Sequence, residues 1–131
     1  MRTRYTTSLG FVALVLAACG RSAVTPAAPP TQLIGLIQVD SVQVRVDGSQ
    51  VSAHVKGVIG DGCTELAGVM IQRGLSGDTS VSIQILSQRP AEAICTQIAR
   101  LYDETLRIPG DFAPGHYALR VNSIETTFDV P

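Results

Sequence analysis

With 131 residues, 45% of them hydrophobic, the chain has room for one domain whose core is adequate but not generous. Ten basic against eleven acidic residues give a net charge of −1, which excludes the basic footprint that nucleic-acid binding calls for. Aromatics at 5% and no tryptophan argue against a carbohydrate-binding platform of stacked rings.

Residues 1–18 have the three parts of a signal peptide: Arg2 and Arg4, an apolar run from Leu9 to Leu16, and the small pair Ala17-Ala18. The run is too short to cross about 30 Å of hydrocarbon, which takes roughly 20 residues. Leu16-Ala17-Ala18-Cys19 resembles the lipobox of bacterial lipoproteins. That resemblance implies cleavage before Cys19 and a diacylglyceryl group on its sulfur, so that the mature chain is tethered to a membrane by its first residue. Gly20 stands where an aspartate would signal retention at the inner membrane. The resemblance therefore implies the outer membrane where the cell has one, and otherwise the outer face of the plasma membrane. Arg2 and Arg4 are two of the ten basic residues, so the exported part carries eight against eleven acidic, a net −3.

Residues 20–32 (GRSAVTPAAPPTQ) are small, polar and proline-bearing, without amphipathic period, and with Cys19 they read as a tether. About a dozen extended residues at roughly 3.1 Å each reach near 40 Å. From Leu33 the pattern becomes that of strands, so the domain is placed at 33–131. Val42, Val44 and Val46 alternate with polar residues, the period of a half-buried strand. Ile37 and Val39 are out of phase with them, which predicts a bulge or bend at Asp40-Ser41. Asp47-Gly48 is a hairpin signal. Val51, Ala53, Val55, Gly57 and Ile59 continue one face, with Ser52, His54 and Lys56 on the other.

After the loop Gly60 to Cys63, Leu66 to Gln72 reads as a strand, Gly74 to Thr79 as a turn, and Val81, Ile83 and Ile85 mark another strand. Residues 89–102 leave two readings open. Ile94, Ile98, Leu101 and Tyr102 have helical spacing and Pro90 suits a helix start, but a loop running into a strand fits as well. Thr105 to Ile108 is extended on either reading. Pro109-Gly110 and Pro114-Gly115 bracket a connection. Tyr117, Leu119 and Val121 alternate, Asn122-Ser123 turns the chain, and Ile124 to Val130 forms the last strand.

About seven short strands without helical alternation predict an all-β, antiparallel sandwich, with a short helix near 90–100 as the open question. Pro114-Gly115-His116-Tyr117 and the alternation after it resemble the penultimate strand of immunoglobulin-like and fibronectin-like domains. Asp61-Gly62-Cys63-Thr64-Glu65-Leu66, Arg89-Pro90-Ala91-Glu92-Ala93-Ile94-Cys95-Thr96 and Pro114 to Tyr117 also resemble an uncharacterised domain of bacterial lipoproteins. This second resemblance covers 37–131 and implies the fold and a disulfide, but no activity.

With Cys19 assigned to lipid, Cys63 and Cys95 remain as an even pair, and export to an oxidising space makes a disulfide the natural reading. A metal site would need more ligands than two cysteines, and redox pairs are usually Cys-x-x-Cys. His54 and His116 fall on solvent faces, and no nucleophile elbow joins them to a serine and a carboxylate. Asp61 and Asp78, each beside glycine, read as turn residues rather than calcium ligands.

The expectation is a lipid-anchored envelope protein with a non-enzymatic binding or structural domain. It has no catalytic residue, no metal and no cofactor, and its partner is a protein or another envelope ligand. The alternative is a small enzyme or a protease-inhibitor-like module, since Arg89-Pro90 and the loop 60–62 loosely resemble the protruding loops of immunoglobulin-like peptidase inhibitors.

Overall fold

The computed structural model describes residues 27–75 and 77–131. These form eight strands in two sheets: β1 (Gln32–Leu36), β2 (Gln38–Asp47), β3 (Gln50–Ile59), β4 (Glu65–Arg73), β5 (Ser80–Pro90), β6 (Arg100–Ile108), β7 (Gly115–Val121) and β8 (Ile124–Val130). One sheet runs β2-β3-β6. The other runs β1-β5-β7-β8, with β4 on the opposite side of β5. The signal segment 1–18, Cys19 and most of the tether lie outside the described residues.

Alternation on the inner faces builds the core. Val51, Ala53 and Val55 of β3 face Val81, Ile83 and Ile85 of β5 and Leu119 and Val121 of β7 in one buried cluster. Burying each such side chain stabilises by roughly 1.5–3 kcal/mol, which is why neither sheet needs to stand alone in water. The register slips between Val39 and Ser41, the bulge expected at that step. Gly57 sits opposite it, where a Cβ would come within 2.2 Å of the Gln38 carbonyl oxygen, so only glycine lets the bulged strand approach.

The structure departs from expectation in two places and resolves one reading that the sequence left open. Residues 32–36 form a separate strand, so the strands number eight rather than about seven. Among the described residues there is no helix near 90–100: Arg89 and Pro90 finish β5, residues 91–99 form a loop, and β6 begins at Arg100. A helix would need its apolar stripe buried, yet only Tyr102 goes inside while Ile94, Ile98 and Leu101 stay in solvent. Finally, β5 and β7 pair in parallel, within an otherwise antiparallel sandwich. The chain leaves β5, crosses to β6 in the other sheet, and crosses back, so β7 enters from the same end as β5.

The parallel pairing leaves a gap along β5 between the end of β1 and the end of β7. Asn122 fills it from the β7–β8 turn, where its φ is 51°. Its backbone N–H donates to the Ile83 carbonyl (3.0 Å), its Oδ1 accepts from the Ile85 N–H (2.9 Å), and its Nδ2 donates to the Ile37 carbonyl (2.8 Å). A side-chain amide thus stands in for a missing residue of the ladder.

Candidate functional site

One end of the sandwich gathers the loop between β3 and β4, the loop 91–99 and the start of β1. Cys63 and Cys95 are disulfide-bonded there, with Cα atoms 5.5 Å apart and a sequence separation of 32. Closing a loop of that length stabilises by about 3–4 kcal/mol on the chain-entropy model. Gly62 N–H donates to the Thr96 carbonyl (2.8 Å), and Ala91 N–H to the Thr31 carbonyl (2.8 Å), so the incoming chain is tied to the same loop.

Asp61 organises the β3–β4 loop. Its Oδ1 accepts from the Thr64 hydroxyl (2.7 Å) and the Cys63 N–H (3.1 Å), and its Oδ2 lies 2.9 Å from Arg89 Nη1. The Thr64 hydroxyl, the Cys63 N–H and the Arg89 charge hold its carboxyl below the usual aspartate value against the effect of burial. Asp61 is thus a turn residue, as its place beside glycine suggests, and its ion pair with Arg89 spans 28 residues that no sequence pattern links. Asp61, Cys63 and Cys95 cluster at metal-ligand distances, but both sulfurs are committed to the disulfide and offer no thiolate. Arg89 and Pro90 lie within β5 rather than on a protruding loop, and the Arg89 side chain is held by Asp61, so the inhibitor-like geometry is not formed.

The other residues singled out from sequence are far from this end. Asp78 accepts from the Ser80 N–H (2.8 Å), a turn contact. His54 Nε2 and Asp103 Oδ1 lie 2.5 Å apart on the outer face of β3 and β6, with Lys56 Nζ at 3.5 Å from the same carboxylate. The hydrogen bond to His54 and the Lys56 charge lower the pKa of Asp103 against the effect of burial. Beside them Gln43, Arg45, Ser52 and Thr105 outline a shallow depression of about 280 Å³. His116 Nδ1 pairs with Asp129 Oδ1 at 2.7 Å on exposed edge positions. The structure therefore does not bring His54 and His116 together.

A hollow lies on the outer face of the five-stranded sheet, above the seam where β5, β7 and β8 adjoin. It measures about 740 Å³, and Ser80, Ser82, Arg120, Glu125 and Thr127 line it with hydroxyls and an Arg120–Glu125 ion pair. The alternation of β5, β7 and β8 made these residues outward-facing in sequence. That they share one groove depends on the parallel β5–β7 pairing.

Comparison with known proteins gives the chain its relatives. It is 30% identical over 91 residues to an uncharacterised 10.2 kDa protein in the HgiCIIM 5′ region of Herpetosiphon aurantiacus, covering 67% of this chain and 94% of that one. A second protein of that organism, in the HgiBIM 5′ region, is 29% identical over 75 residues, 57% of this chain and 88% of its own. No solved structure matches the chain. The model of the ORF11 beta-sandwich domain matches residues 53–130, from the middle of β3 to the end of β8, and the chain belongs to that family.

Proposed function

We propose that the protein is a lipid-anchored envelope protein whose sandwich is a non-enzymatic binding domain. Lipid on Cys19 holds it at the outer membrane, or at the outer face of the plasma membrane in a cell with one membrane. The Leu16-Ala17-Ala18-Cys19 motif supports the anchor, and a stable disulfide fits an oxidising compartment. The binding role rests on the groove over β5, β7 and β8, an open hollow of mixed polar and apolar lining carried by rigid strands. Its hydroxyls and ion pair suit a polar envelope component.

The test is retention of envelope components by the immobilised mature protein, compared with Thr127→Trp, which fills the groove. Loss of one component with the variant supports the groove. Equal retention by both proteins moves the binding surface elsewhere. A second reading is a small hydrolase, favoured by the His54–Asp103 pair beside Ser52 and Thr105. Turnover of a small ester that His54→Ala abolishes would establish it instead.

A further inference from the structure

The loop 91–99 carries two large apolar side chains with nothing packed on them. Ile94 is 103% exposed and Ile98 68%, while Leu101, at the start of β6, is 86% exposed. Leu33 and Ile34, at the start of β1, are more than half exposed at the same end of the sandwich. Soluble surfaces carry single apolar residues freely, but a ring of them around one end marks an interaction site. The ring is held outward: Ile94 adjoins Cys95, which the disulfide fixes to Cys63, and the Gly62–Thr96 hydrogen bond fixes the loop two residues further on.

The opposite end of the sandwich differs. Its turns present Asp47, Asp78 and Asp111, and among the described residues its one exposed large apolar side chain is Leu75. The incoming chain meets the sandwich at the apolar end. Thr31 is bonded to Ala91, and Pro29, Pro30 and Thr31 line a hollow together with Pro90, Glu92 and Ala93. A ten-residue strand is about 33 Å long. A chain anchored at Cys19 therefore joins the sandwich at the ring, and the aspartate end lies about a strand length from that junction.

We infer that the disulfide-pinned end rests on the phospholipid bilayer, with Ile94, Ile98 and Leu101 seated among the headgroups. The inference rests on the lipid-anchor reading above. The anchor then supplies affinity, and the ring supplies orientation: the sandwich stands end-on, with the groove over β5, β7 and β8 facing sideways into the envelope.

The chain contains no tryptophan, so Ile94→Trp, Leu101→Trp and Leu75→Trp each introduce a single tryptophan, excited apart from the chain's tyrosines at the red edge of absorption. The mature variants, purified with their lipid, are reconstituted in vesicles of phosphatidylethanolamine and phosphatidylglycerol, with and without brominated acyl chains. Far-ultraviolet circular dichroism checks that each variant is folded. The expected result is blue-shifted emission from the Ile94 and Leu101 variants that falls about twofold with brominated lipid, and no change from the Leu75 variant. Emission from all three that is water-like and unquenched, in protein that still floats with the vesicles, overturns the orientation and leaves the anchor standing. Blue-shifted but unquenched emission overturns it in favour of a second copy of the chain packed on the ring. Unmodified Cys19 by mass spectrometry, with no flotation, overturns both.

Discussion

The two ends of the sandwich are closed by different means. At the disulfide end a covalent bond, the Asp61–Arg89 pair and a few backbone hydrogen bonds hold loops whose apolar side chains stay outside. At the other end the closure is packing. Phe112 meets Tyr117 edge-on at 5.0 Å and Phe128 at 5.7 Å, and Tyr117 stacks on Phe128 at 5.3 Å. Arg73 lies 3.9 Å over the Phe112 ring and donates to the Pro109 and Asp111 carbonyls, while the Tyr117 hydroxyl donates to the Ala113 carbonyl (3.0 Å). A loop that can turn an aromatic ring inward needs no staple. A loop that keeps its isoleucines outside has no such contact to stabilise it, and the disulfide supplies the constraint.

Each closure can be broken alone. Phe112→Ala removes the ring that three partners touch and is expected to cost about 3–5 kcal/mol in chemical denaturation, the range for a buried phenylalanine. Replacing Cys63 and Cys95 together by alanine is expected to cost about 3 kcal/mol. Near-ultraviolet circular dichroism should separate the two, since only the first disturbs the aromatic signal. Either cost appearing at less than 1 kcal/mol would show that its end is closed by something else.

Asn122 lies between the ends, and its replacement sharpens the comparison. Asn122→Ala leaves the Ile85 N–H and the Ile37 carbonyl unpartnered and is expected to cost about 2–3 kcal/mol. Asn122→Gly keeps the positive φ and loses the same two hydrogen bonds, so it should recover part of that loss, about 1 kcal/mol. Full recovery in denaturant melts would assign the effect to the turn rather than the ladder.

The smallest effect is the acid response of the disulfide end. Asp61 has a folded pKa below 3.8, so the stability it contributes is present above that value and is lost as pH falls through the lower folded value. Melting temperatures of the wild type should therefore fall on acidification below about pH 4, and Asp61→Asn should flatten part of that slope. An identical slope in the variant would mean that the Thr64, Cys63 and Arg89 contacts do not persist in solution.

Much of the sandwich was legible in the sequence because it is local. The alternation of β3, β7 and β8 marks their buried faces, and the phase change at Asp40-Ser41 marks the bulge. The expectation of export, together with an even cysteine pair, pointed to the disulfide. What sequence reading missed depends on partners distant in the chain. The spacing of Ile94, Ile98 and Leu101 suits a helix, and only the tertiary position of a loop fixed at Cys95 makes it a set of exposed tips. Asn122 read as an ordinary turn residue, although its side chain bonds to Ile37, 85 residues away. The groove depends likewise on β5 lying parallel to β7, which no stretch of either strand reveals.

The position of β5 also sets the order in which the fold can be completed. Its ladder takes in β4, which follows the β3–β4 loop, then β1 from the start of the domain and β7 from near its end. A chain emerging in sequence order can close the β2–β3 and β4–β5 hairpins and the disulfide early. One flank of β5 nevertheless stays open until residues 115–122 arrive. Such non-local completion belongs to the slow class of folding, milliseconds to seconds. The half-made domain meanwhile exposes a strand edge flanked by Ile83 and Ile85, which makes that interval, rather than the finished sandwich, the stage most exposed to aggregation.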